Sequence, residues 1–129
     1  MIVSFDRRIR EIVDGHIDPR GGSPYWIERA RERAIKPGDI RNREDLARFG
    51  LMDGAMLEKR PLEDFIPRRL LSDRTPLILA ETGGTLGKNR RTVYTDGEFQ
   101  TAFIDPWGRA ARASGVPDGL SWLYVGPGA

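Results

Sequence analysis

The stretch LILAETGGTLGKNRRTVYT, residues 77–95, decides how this chain is read. A short apolar run bounded by Pro76 ends at Glu81. Residues 82–87 then hold three glycines and two threonines, and Lys88, Arg90 and Arg91 follow. "RTVY" (91–94) is rich in β-formers, so the pattern predicts two strands joined by a small-residue loop. Working forward, Thr95-Asp96-Gly97-Glu98 fits a capping box, with Thr at the cap and Glu three residues on. Phe99, Phe103, Trp107 and Ala111 recur every four residues, the stripe expected of a helix facing a core. Pro106 inside that stripe predicts a kink, or two helices with Asp105 capping the second. "VPDG" ends the segment. "LSWLYV" (120–125) is a continuous apolar run of the kind buried on both faces of a sheet. A helix leading into such a strand suggests a βαβ crossover and a partly parallel sheet.

Working backward, residues 1–75 read as mainly helical. Phe5, Ile9, Ile12 and Val13 repeat at helical spacing, with Gly15 the expected stop. "GGSP" places Ser23 at an N-cap and Pro24 at the first helical position, opening a helix over residues 25–34. "KPGD" (36–39) interrupts. Asn42, Asp45, Leu46 and Phe49 suggest a short capped helix ending at Gly50. Residues 51–74 fit no single pattern, and "LLSDRTP" reads as a turn into the first strand. The expected fold is α/β: a helical N-terminal part, 1–75, followed by a small mixed sheet (strand, Gly/Thr loop, strand, helix, strand) over 76–129.

Composition bounds the function. A chain of 129 residues predicts one domain, and 39% apolar residues with nearly balanced charge (+2) argue against disorder. Fifteen glycines and nine prolines predict many loops. All but three of the twenty-one basic residues are arginine, yet they are scattered. Arg29, Arg31 and Arg33 alternate with Glu28 and Glu32, so no basic stripe for nucleic acid results. The absence of cysteine removes disulfides and thiolate chemistry. No apolar run approaches the roughly 20 residues that span a bilayer, and no signal peptide is visible, so a cytoplasmic location is expected. His16, the single histidine, is expected to sit as a cation at a helix end. Neither a metal site nor a Ser-His-Asp set is expected around it. Glu81 reads as a strand-end carboxylate paired with Lys88 or Arg90, and Glu63 and Asp64 as solvated surface. Trp122 and Tyr124 read as part of a buried strand.

The loop carries the functional signal. Small residues leaving a strand expose consecutive backbone N–H groups, a concavity suited to anionic oxygens. Threonine hydroxyls add donors, and a basic exit adds charge that phosphate satisfies. Thr82, Gly83, Gly84, Thr85, Gly87 and Lys88 supply all of these; a plain hairpin turn is the alternative. The Walker pattern fails, because Thr82 stands where its first glycine belongs, Asn89 where its hydroxyl belongs, and a strand follows where a helix is required.

"ETGGTLGKNRRTVYTDGEF" resembles the nucleotide loop of the adenylate-forming (ANL) enzymes, and within them the phenylacetate–coenzyme A ligase branch. There too the loop is followed by a strand ending in Tyr-Thr, here Tyr94-Thr95, and then by a helix. Upstream, Pro24-Tyr25-Trp26, Lys36-Pro37-Gly38-Asp39-Ile40 and Arg43-Glu44-Asp45-Leu46 resemble the same family's N-terminal passage. The likeness spans about residues 23–126. It implies an N-terminal fragment, a single partial domain, of a carboxylate–CoA ligase that uses ATP and Mg²⁺ to form an acyl-adenylate, with coenzyme A as co-substrate. It also implies that Thr82, Gly83, Gly84, Thr85, Gly87 and Lys88 face the nucleotide's phosphates. Gly83 stands where a hydroxyl residue is usual, Leu86 replaces the second threonine, and Asn89 replaces the loop proline. A lost hydrogen bond to a charged oxygen costs about 1.5 to 3 kcal/mol. Base, ribose and lid motifs have no counterpart in these residues, so this chain alone is expected to bind ATP weakly or not at all and to be inactive. A non-catalytic interaction module, or one chain of a split ligase pairing with a companion through the final strand, is the alternative.

Overall fold

A computed structural model describes residues 4–82, 89–117 and 119–121. It is a small, mostly helical domain with a two-stranded antiparallel hairpin followed by a helix. Helix α1 spans Phe5–Ile17 and α2 spans Pro24–Glu32. A 3-10 turn, Glu44–Phe49, comes next. The ambiguous middle resolves into α3 (Met56–Lys59), a 3-10 turn (Leu62–Phe65) and α4 (Arg68–Ser72).

Gly15 does not stop α1. Ile9, Val13 and Ile17 continue one face in steps of four, and Ile17 is buried. The helix therefore runs to Ile17; Asp18, which precedes Pro19 and is disfavoured in α conformation for that reason, caps it. Ile9, Ile17, Ala30, Ile35, Ile40 and Phe49 form one core cluster, with Val13 and Trp26 packed against it. Trp26 meets Phe49 edge-on at 5.8 Å between ring centres.

α2 ends earlier than residue 34, by a device the sequence hides. Ile35 N–H reaches back to Ala30 C=O, and Ala34 N–H to Arg31 C=O, with Ala34 at φ 51°. That is a Schellman cap with a left-handed residue usually supplied by glycine. α4 ends the same way through Thr75 to Leu70, Arg74 to Leu71, and Arg74 at φ 52°.

Strands β1 (Leu77–Glu81) and β2 (Arg91–Thr95) pair antiparallel, Leu77 opposite Thr95 and Glu81 opposite Arg91. The capping box forms as the sequence indicates: Glu98 N–H donates to Thr95 Oγ1, and Thr95 N–H donates to Glu98 Oε2. Helix α5 (Asp96–Phe99), a π-helical turn (Gln100–Ile104) and α6 (Asp105–Ala113) follow without a break. Pro106 follows this widened turn. Asp105 N–H bonds five residues back to Gln100 C=O, which makes room where the proline ring would meet the carbonyl four residues earlier.

The stripe on that helix departs from expectation. Phe99 and Phe103 pack on Tyr94 of β2, at 6.2 and 5.3 Å between ring centres, but Phe103 remains 46% and Trp107 55% exposed. A pair of strands is about 5 Å from axis to axis, too narrow to cover four turns of helix. The expected final strand, 120–125, lies mostly outside the described residues. No described helix is long and apolar enough to cross a membrane.

Candidate functional site

The bend between β1 and β2 is anchored at its base by residues on both sides. Thr82 N–H donates to Arg90 C=O at 3.0 Å, and Arg90 N–H donates to Thr82 Oγ1 at 2.9 Å. Beside them Asn89 Nδ2 donates to Glu81 Oε2 at 3.3 Å. β-pairing thus extends one residue past the strand ends, as the "AET" and "NRR" flanks permit. Thr82's amide is taken by this closure. Its hydroxyl oxygen accepts from Arg90, and among the described residues no acceptor takes the hydroxyl hydrogen. Gly83, Gly84, Thr85, Gly87 and Lys88, the other expected phosphate contacts, lie outside the described residues.

Arg90 points away from Glu81. Its Nε is 3.4 Å from Glu58 Oε1 and its guanidinium lies over Gly54, tying the hairpin to α3. Among the described residues Glu81 therefore takes the Asn89 amide and not the Arg90 guanidinium; Lys88, the other expected partner, lies outside the described residues. No helix begins on the exit side of the bend: residues 91–95 are strand and α5 starts at Asp96.

His16 is not the helix-end cation the sequence suggests. It lies in the last turn of α1, half-buried, with Nδ1 2.6 Å from Ser23 Oγ. Burial lowers its pKa below the usual 6.5, and the Arg69 guanidinium lowers it further against a weaker opposite pull from Glu98. Ser23 donates its hydroxyl hydrogen to Phe65 C=O at 3.2 Å, so Nδ1 of neutral His16 is the donor to Ser23. Nε2 then carries the lone pair. Ser23 is fully buried, which removes it as a nucleophile.

Asp64 is not free surface either. Arg60 bridges Asp64 (2.8 Å) and Glu28 (2.7 Å), both hydrogen bonds raising its pKa, and its guanidinium lies 5.4 Å from the Tyr25 ring centre. This clamp joins α2 to the 3-10 turn at Leu62–Phe65 and was invisible in the sequence, since its partners are 32 residues apart. Arg29 acts similarly, donating to Phe49 C=O and Leu51 C=O. Among the described residues no group of three or more His, Cys, Asp or Glu is placed to hold a metal ion.

Compared with known protein families the chain matches no family model, and compared with curated proteins it finds no match.

Proposed function

We propose that the bend between β1 and β2 is the polyphosphate-binding element of an ATP-dependent, acyl-adenylate-forming ligase of the phenylacetate–coenzyme A ligase kind, and that this polypeptide does not complete that active site by itself. The order strand, small-residue bend, strand, capped helix carries the reading. A Walker-type loop needs a helix directly after its lysine, and here five residues of strand intervene. Thr82 supports the reading in a second way: the closure to Arg90 fixes its position, and no acceptor among the described residues takes its hydroxyl hydrogen.

In such a ligase a carboxylate attacks the α-phosphate of ATP, pyrophosphate leaves, and a thiol then takes the acyl group from the adenylate as AMP leaves. The bend's part is positioning and charge stabilisation at the departing phosphates. Mg²⁺ needs no cage of protein carboxylates for this, since it is commonly held by phosphate oxygens and water. Gly83, Gly84, Thr85, Gly87 and Lys88 are the remaining proposed contacts. The test is thermal unfolding with pyrophosphate and with ATP–Mg²⁺. A ligand at ten times its Kd adds about 1.4 kcal/mol of stability. Wild type is expected to gain stability from pyrophosphate, and Lys88→Ala to lose the gain. An unchanged melting temperature in wild type overturns the proposal.

The hairpin also favours a second reading, an interaction module or one chain of a split ligase. The described sheet has two strands, marginal alone, and the expected final strand, 120–125, is the proposed edge for a companion chain. Light scattering decides this: a strict monomer that captures no second polypeptide removes it.

A further inference from the structure

Two hollows meet on the exposed side of α1. The larger, about 480 Å³, lies between α1, α4 and the hairpin. The smaller, about 390 Å³, lies between α1, α2 and the 3-10 turn Glu44–Phe49. Ile12, His16 and Trp26 line both, so the two adjoin along these side chains as the ends of one trough. Its ends differ in chemistry. The smaller end is walled by Val13, Leu46 and Phe49 with no charged side chain. The larger end carries Arg8, Arg69 and Arg91 against Glu11 and Glu98. With His16 neutral, that set leaves one positive charge over.

The surplus is localised. Arg8 approaches Glu11 and Glu98 at 3.8 and 3.9 Å. Arg69 donates to the Gly15 carbonyl at 3.3 Å, and among the described residues neither Arg69 nor Arg91 meets a carboxylate within ion-pair distance. Two guanidiniums with no carboxylate in ion-pair contact among the described residues, beside apolar walls, suit an anion with an apolar body. Ile12, 43% exposed at the junction, loses water when such a body passes over it.

We propose that this trough binds an anionic amphiphile, a singly charged head between Arg69 and Arg91 and an aliphatic tail running past Ile12 and Trp26 toward Leu46. Each hollow falls within the size range of small-molecule sites. One surplus charge matches a carboxylate-type head better than a dianionic phosphate. Of the described residues of the bend, neither Thr82, Asn89 nor Arg90 lines the trough, and the test without nucleotide separates this site from the phosphate-loop reading.

The test is calorimetric titration of the whole chain at pH 7.5, without nucleotide, with decanoate below its micelle concentration. Decanoate is expected to bind one to one, acetate not at all, and decyltrimethylammonium at least tenfold more weakly than decanoate. Arg91→Met, at an exposed position, is expected to weaken decanoate at least fivefold while circular dichroism and the urea midpoint stay as in wild type. Leu46→Ser is expected to flatten the gain in affinity from octanoate to decanoate. Equal binding of the cationic and anionic amphiphiles, tighter binding of decyl phosphate, or an unaffected Arg91→Met overturns the proposal.

Discussion

Nδ1 of His16 donates to Oγ of Ser23 across 2.6 Å, and Ser23 passes its own hydrogen to the Phe65 carbonyl. One relay thereby links the last turn of α1, the cap position of α2 and the end of a 3-10 turn 42 residues on. Ser23 stands at the cap of α2 without capping it by side chain, because its hydroxyl is committed to this relay.

Ser23→Ala breaks both bonds and leaves the His16 N–H and the Phe65 carbonyl without this partner. Unsatisfied buried groups cost about 1–3 kcal/mol. Urea denaturation at pH 7.5 is expected to show a loss of that size with an unchanged slope.

Acidification acts on the same relay. The folded pKa of His16 lies below the unfolded value of 6.5, so the unfolded chain binds the extra proton more readily as pH falls. The contribution of His16 is therefore complete above about pH 6.5 and is lost as pH drops through the folded pKa. The urea midpoint is expected to hold from pH 8 to 7 and fall toward pH 5.5. His16→Asn, whose amide can donate in place of Nδ1, is expected to flatten that fall. As the sole histidine, its ring protons report the titration directly.

Ala34 and Arg74 adopt left-handed backbone at helix ends. A non-glycine residue there costs roughly 1 kcal/mol or more relative to glycine. Ala34→Gly, at an exposed site, is expected to stabilise the protein by up to about 1 kcal/mol, and Arg74→Gly by a similar amount; α6 already uses Gly115 at the matching position. Thermal melts that fall for both variants would refute this account of the caps.

Gly22 behaves oppositely. A Cβ there would overlap the backbone carbonyl oxygens of His16 and Asp18, which no rotamer change relieves. Gly22→Ala is expected to cost at least about 3 kcal/mol, among the larger single-residue effects. Gly38→Ala is the control: nothing lies within 4 Å and only its positive φ is penalised. Comparable melting temperatures for the two variants would count against this packing.

Local chemistry made much of this fold legible. The Thr95–Glu98 box, Pro24 at the start of α2 and the two β-runs around the glycines need only neighbours in sequence, and all three elements form. Helix ends were harder. Gly15 looked like a terminator, but burying Ile17 carried α1 past it, and Ala34 and Arg74 carry no glycine to mark their caps. Phe103 and Trp107 have the spacing of core residues, yet spacing says nothing of how wide a surface waits opposite. The side of the bend that the sequence reached was its residue types; that Thr82's amide is spent on Arg90 follows from pairing register, which no local pattern encodes.

Every buried side chain among the described residues lies between Ile9 and Pro67. The hairpin and the helix after it hold to this body by contacts such as Arg90 to Glu58 and Arg8 to Glu98, rather than by interior packing of their own. Amide exchange in β1 and β2 should consequently run through sub-global opening, faster than at buried Ile35, whose N–H bonds to Ala30 C=O, with the body intact. The element proposed to grip phosphate is thus the one whose ordering a bound anion can shift most, so occupancy and local rigidity rise together.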